Sequence, residues 1–274
     1  MAGSVVDAGQ RRRLRRLQQL VIDLGREDFD RRHPGLELTP VAALVCAYEE
    51  EGNIGGVLAR MPAKACGLEV TPVVVVDGGD DATARVARDA GAVTFELPVN
   101  LGHGVALRVG YDLCVRAGTR FVVTLDADGQ NDPQEMEALL QPLVDDEVDF
   151  VVASRRLGED RSADRYRRAG VVFFAWLMNR MTGARLTDTS NGYRALRATM
   201  LADVVGRLEQ DQYQTSELLL TALGRGWRVT ERGATWHERR SGQSKKGGNL
   251  LYGLRYATVI VRTWRRERRR DGVR

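Results

Sequence analysis

The sequence predicts an α/β chain: a mostly parallel sheet with helices on both faces, preceded by an N-terminal helix and followed by a basic amphipathic one. Three observations predict it. Between Val41 and Ala153, short apolar and β-branched runs alternate with helical patterns of about ten residues, the rhythm of βαβ units. The runs are continuously apolar rather than alternating, as strands covered on both faces must be. The 274 residues, 43% hydrophobic and 28% charged, suffice for a large core and exclude a disordered or collagen-like chain.

In chain order, Leu14, Leu17, Val21 and Leu24 recur at helical spacing within Arg11–Leu24. This reads as a surface helix packed on the body or on a second subunit. Residues 27–40 turn polar with two prolines and read as a linker, so residues 1–40 form a leader and the main domain runs from 41 to 248. Within it, Val41–Ala47, Thr71–Val76, Val93–Leu97, Arg120–Leu125 and Phe150–Ala153 read as strands. Asn53–Met61, Thr83–Ala90, Gly104–Ala117 and Pro133–Val144 read as the helices between them. Residues 249–274 form the basic tail helix.

The formal charge of +4 hides an imbalance, with 12 basic and 2 acidic residues from Arg239 to Arg274 and an acidic excess before them. Such a tail expects anions. Three cysteines without CxxC spacing suggest neither a disulfide framework nor a zinc site and fit a reducing cytosol. The N-terminus lacks the apolar core of a signal peptide. The longest apolar run, Ala169–Met178, is far short of the roughly 20 residues a spanning helix needs. Nucleic acid is not expected as a partner, because no recognition-helix motif, zinc spacing or aromatic platform accompanies the basic residues.

In parallel sheets ligands bind beyond the carboxyl ends of the strands. The residues there are Tyr48-Glu49-Glu50, Asp77, Asn100 to Gly104, Asp126-Ala127-Asp128-Gly129-Gln130 and Ser154-Arg155. Each alone is an ordinary turn or capping residue; their recurrence along one edge points to a site. Asp126 and Asp128, at i and i+2 of an extended chain, can face one divalent cation, with the amide oxygen of Gln130 as a further hard ligand. A Mg²⁺ or Mn²⁺ held by so few protein oxygens keeps positions open for a substrate diphosphate. A dinucleotide-binding dehydrogenase module is disfavoured, because Gly102-x-Gly104 lacks the GxGxxG continuation and follows the third strand.

These residues resemble the family 2 glycosyltransferases of the GT-A fold, and within them the polyprenyl-phosphate sugar synthases similar to dolichyl-phosphate mannose synthase. The family's Pro-Ala-Tyr-Asn-Glu appears as Cys46 to Glu50, its Val-Val-Asp-Asp-Gly-Ser as Val75 to Asp80, and its Asn-x-Gly-x-Gly as Asn100 to Gly104. Leu-Asp-Ala-Asp-x-Gln-x-x-Pro is Leu125 to Pro133 in full. Ala153-Ser154-Arg155, Asp188 to Arg194 and Arg239 to Lys245 complete seven motifs in order. The resemblance implies a metal-dependent, inverting transferase taking a sugar from a GDP- or UDP-sugar donor. By resemblance Ala47, Tyr48, Glu50 and Asp77 hold the nucleotide, Asp126, Asp128 and Gln130 the metal, with Ala127 beside it, and Arg155, Arg239 and Lys245 the phosphates.

The chain departs from the pattern at Cys46, Glu49, Gly78, His103 and Asn191; Gly78 stands where the family has a second Asp. An alcohol acceptor must lose a proton as it attacks, and the family's slot for that base holds Thr215 here. Asp188 and Glu217 are the carboxylates left to serve. A phosphate monoester is already a dianion near neutral pH and needs no base, so a polyprenyl phosphate is the expected acceptor, a soluble metabolite or natural product the alternative. The tail from Asn249 to Trp264, rich in Leu, Tyr and Arg, fits two placements: a membrane interface, giving a cytoplasmic protein peripheral on the membrane face, or packing against the core.

Overall fold

The computed structural model describes residues 8–161, 165–238 and 250–271. The chain begins with α1 (Ala8–Arg32) and continues β1 (Val41–Ala47), α2 (Ile54–Leu58), β2 (Lys64–Ala65), β3 (Leu68–Asp77), α3 (Thr83–Asp89), β4 (Val93–Leu97) and α4 (His103–Arg116). It then runs through β5 (Phe121–Asp126), α5 (Met136–Val144), β6 (Phe150–Ser154), α6 (Arg165–Thr182), β7 (Arg194–Arg197), α7 (Ala198–Val204), α8 (Gln214–Gly224), β8 (Val229–Gly233) and α9 (Leu250–Asp271). Among the described residues these strands make one eight-stranded sheet in the order β2-β3-β1-β5-β7-β6-β8, with β4 on the outer side of β3.

The expected strands stand, and β4, β3, β1 and β5 are parallel. Every residue of β1 is buried, which is why its sequence is an unbroken apolar run. Alternate side chains leave it in opposite directions. Ala42 and Leu44 enter one layer with Val105 and Val109 of α4, whereas Ala43 and Val45 enter the other with Leu139 and Leu140 of α5. The second half of the sheet is mixed: β7 lies antiparallel between β5 and β6, and β8 runs parallel to β6.

Two expectations are corrected. The segment 27–40 is not all linker, because α1 continues to Arg32. Phe29, only 2% exposed, stacks on Phe95 of β4 at 5.3 Å between ring centroids; burying such a ring contributes about 1.5–3 kcal/mol. Gly25 lets the helix approach the β4 edge, since a Cβ there would lie 2.8 Å from the Glu96 carbonyl oxygen. Edge strand β4 is thereby covered. By contrast Leu14, Leu17 and Leu24, expected to pack on the body or on a second subunit, are not packed on the body and are exposed.

The tail helix α9 packs against the core over its described side chains. Tyr256, Ile260, Thr263 and Glu267 are buried, and the Trp264 indole N–H donates to the Met181 carbonyl at 2.8 Å. Arg266, expected to face membrane or solvent, turns inward to Glu217 at 2.8 Å. No described helix is long and apolar enough to cross a membrane.

Candidate functional site

The chain leaves β1 for β3 and β4 on one side and returns to β5 on the other, so the strand order reverses at β1. A crevice opens at such a switch point beyond the carboxyl ends. Register places Asp126 beside Cys46, and Ala47 beside Val76. The end of β1 therefore delivers Ala47 and Tyr48 between Asp77 on one flank and Asp126 on the other.

On the β3 flank, the Tyr48 ring lies against Gly79, where an added Cβ would sit 3.7 Å away. Glu50 accepts from the Asn53 amide at 2.6 Å, and its own N–H donates to the Thr83 hydroxyl, which ties the β1 loop to α3. Asp77 is 3% exposed and accepts from the Leu101 and Gly102 N–H groups at 2.8 and 2.9 Å, holding the glycine-rich turn that opens α4. Its carboxylate braces that turn. Gly78 adopts φ +70°, and a Cβ would fall 2.4 Å from the Asn100 nitrogen. Backbone thus fills the place of the side chain that the family's second Asp would bring.

Burial pushes the Asp77 carboxyl up from 3.8 to about 6, against the pull of its two N–H donors. The folded chain then holds this proton more tightly than the unfolded chain. The stability it contributes is full below about pH 4 and is lost as pH rises through about 6, on the order of 2–3 kcal/mol. Denaturant unfolding across this window is expected to show the fall, and Asp77→Asn to flatten it; an unchanged slope in the variant would assign the effect elsewhere.

On the β5 flank, Asp126 and Asp128 are half-buried at the mouth of the crevice, with Ala127 turned into the core between them. The Asp126 N–H donates to Asn131 Oδ1 at 3.3 Å, and Asp128 Oδ1 accepts from the Gln130 N–H at 3.1 Å, which folds the loop into a compact turn. The Asp126 carboxylate rests against Gly192, where a Cβ would be 3.0 Å from Oδ1, so a side chain at 192 would push into it. Gln130 donates its amide to the His237 carbonyl at 3.1 Å and accepts from the His237 N–H at 2.8 Å. This brings His237 to the carboxylate edge. Nothing in the spacing singles it out, since its partner lies 107 positions away. Two carboxylates give the hard oxygen donors that Mg²⁺ or Mn²⁺ prefers. Among the described residues no three His, Cys, Asp or Glu side chains form a closed cage, and such an incomplete set suits a cation shared with a diphosphate.

Behind this edge Arg155 is 7% exposed and grips Asp188 through two N–H···O bonds of 2.5 and 2.8 Å. It adds a bond to Ser190 Oγ and lies over the Trp236 ring at 4.9 Å. Burial raises the Asp188 carboxyl, but the Arg155 hydrogen bonds and charge outweigh it and hold the group below its ordinary value. Glu231 in turn accepts from the Thr187 and Asp188 N–H groups. Arg155 and Asp188, both expected at the site, are thus paired with each other, and the pair holds Asp188 as the carboxylate. Glu217 is fully buried and accepts from the Glu209 and Gln210 N–H groups and from Arg266, so it fastens a turn to α8 and α9. Arg194, also fully buried, donates to the carbonyls of Thr189, Asn191 and Thr215, locking the 188–194 loop under Asp126. Arg239 and Lys245 lie outside the described residues.

Beside the Arg155–Asp188 pair a cleft of about 320 Å³ is lined by Arg155, Arg156, Asp160, Arg168, Val171 and Val172. It opens along α6, where Val172, Phe173 and Trp176 are exposed.

Residues 42–205 match the model for glycosyl transferase family 2. A dolichyl-phosphate hexose transferase of Haloferax volcanii is 34% identical over 206 residues, 75% of this chain and 86% of the relative. An undecaprenyl-phosphate mannosyltransferase of Micrococcus luteus is 29% identical, covering 85% of this chain and 97% of the relative. Glucosyl-3-phosphoglycerate synthase of Mycobacterium tuberculosis, solved with Mn²⁺, UDP and glucosyl-3-phosphoglycerate, superposes with a TM-score of 0.64 at 17% identity, over 82% of this chain and 80% of that one. The expected GT-A fold is the one observed.

Proposed function

The chain belongs to glycosyl transferase family 2, and on that premise we propose that it moves a sugar from a nucleotide-sugar to the phosphate of a polyprenyl lipid, with inversion at the anomeric carbon. The observation that carries this reading is the cleft beside α6. Arginines line it, while α6 continues into exposed Val172, Phe173 and Trp176, a pairing of cationic and apolar surface that suits a phosphate head on a hydrocarbon chain. The carboxylates support the same reading: Asp188 and Glu217 are each held in an ion pair and backbone bonds, an arrangement that suits an acceptor needing no base. A phosphate oxygen attacks the anomeric carbon without losing a proton, and the bond from that carbon to the donor diphosphate breaks.

Asp126 and Asp128 would hold a divalent cation. When bound, it supplies positive charge to the departing nucleoside diphosphate, whose charge grows in the transition state. Tyr48 and Ala47 would form the shelf for the base, and Arg239 with Lys245 would meet the diphosphate. The exposed aromatics of α6 would bring the protein to a membrane surface.

The test is incubation with labelled GDP- and UDP-sugars and undecaprenyl phosphate in vesicles. Label is expected in the lipid phosphate, and Trp176→Ser is expected to raise KM for the lipid about tenfold, the scale of one lost aromatic anchor. Transfer only to water-soluble acceptors would overturn the reading.

A further inference from the structure

Helix α1 has two occupied sides and one that nothing among the described residues covers. Ile22, Gly25 and Phe29 face the sheet, and Gln18 donates to Asp211 at 3.3 Å. On the adjoining shoulder Leu14, Leu17, Leu20 and Leu24 are each at least half exposed, between 50% and 59%. Leu14, Leu17, half-buried Val21 and Leu24 follow a three-four-three spacing, the a and d positions of a two-helix seam. Solvent-facing leucines at that period are a cost to a monomer unless something covers them.

We propose that α1 is the contact surface for a second copy of this chain, the two helices packing antiparallel about a twofold axis. The charge pattern selects this occupant. The first half of the helix carries exposed Arg12, Arg13, Arg15 and Arg16, and the second half carries Asp23, Glu27, Asp28 and Asp30 against Arg26, Arg31 and Arg32, with Arg31 and Arg32 paired to Asp28, and Glu27 exposed. An antiparallel copy sets each basic half on the half that carries Glu27, whereas a parallel copy sets the basic halves on each other. An anionic lipid surface would attract the first half but leave Glu27 and the nearly neutral second half without a partner. With Leu14 facing Leu24 and Leu17 facing Val21, Leu20 meets its own counterpart near the axis and Arg13 lies across from Glu27. The contact is isologous, as a closed dimer requires. It uses no residue of the crevice and stands whether or not the proposed acceptor is correct.

Light scattering behind size exclusion, on the full chain through a dilution series, tests it. The expected mass is twice that of one chain, falling to one chain on dilution. Leu17→Glu with Leu20→Glu is expected to give monomer at every concentration, with the melting temperature of the diluted wild-type monomer. Arg13→Glu is expected to weaken the dimer at least about tenfold, since the twofold axis breaks two pairs at once. Arg13→Glu combined with Glu27→Arg is expected to restore it, an outcome that loss of folding cannot imitate. A wild-type chain of single mass throughout, a dimer indifferent to the leucine changes, or a monomer that floats with anionic vesicles through α1 would each overturn the proposal.

Discussion

Asp188→Ala is expected to destabilise the fold by about 3–5 kcal/mol, the usual consequence of removing one partner from a buried ion pair. The reason is local. Arg155, at 7% exposure, would keep the Ser190 hydroxyl, the Trp236 ring and the more distant charges of Asp160 and Asp126 but no carboxylate in its grip, and a buried cation without a paired anion is costly. Glu231 would still hold the backbone N–H groups at 187 and 188, but the Ser190 N–H and hydroxyl would lose the Asp188 carboxylate, so the damage extends toward Asp126 through the 188–194 loop. The measurement is chemical denaturation of Asp188→Ala, Arg155→Met and the double variant. The double variant is expected to lie well above the sum of the singles in stability, since it removes both charges together. If Asp188→Ala instead kept full stability and lost only activity, the carboxylate would be the acid–base group and the acceptor argument would fail.

The second large effect is on rate. Asp128→Asn is expected to lower transfer by about 10²–10³, the scale of losing one charged contact to a developing anion. The amide keeps an oxygen for the Gln130 N–H, so the turn that Asp128 organises at 3.1 Å is retained while the charge is not. Unfolding is therefore expected to be nearly unchanged, and the metal concentration for half-maximal rate to rise. Retention of full activity without any added divalent cation would remove the proposed role of both carboxylates.

How far these features could be read from the sequence follows from where each one's partners lie. Strands β1, β3 and β5 are legible because burial on both faces writes itself into consecutive residues, and their polar ends mark the crevice without any long-range knowledge. The role of Asp77 was only half legible. Its place at a strand end is local information, but its commitment to Leu101 and Gly102 is made 24 and 25 positions away. Asp188 shows the same limit more strongly, because its partner is 33 positions distant and is neither of the arginines nearest in sequence, Arg185 and Arg194. Strand β7 carries two arginines in four residues and has no apolar pattern; only the buried hydrogen bonds of Arg194 make it a core strand. The continuation of α1 to Arg32 hides behind charged residues, with Phe29 as the single apolar anchor.

The insertion of β7 between β5 and β6 has a consequence for how the chain is made. Strand β5 is synthesised with one edge ready for β1 and the other bare, and that second edge stays bare until some seventy residues later, when Arg194 to Arg197 emerge and pair with Phe121 to Thr124. Long-range pairing of this kind is slow, because the intervening loop must close before the contacts form. During that interval the Thr124 hydroxyl has no Gly192 carbonyl to bond and the Asp126 turn has no floor. The carboxylate edge is thus among the last parts of the nascent protein to become rigid, and an unpaired, strongly apolar strand sits beside it while the ribosome finishes the work.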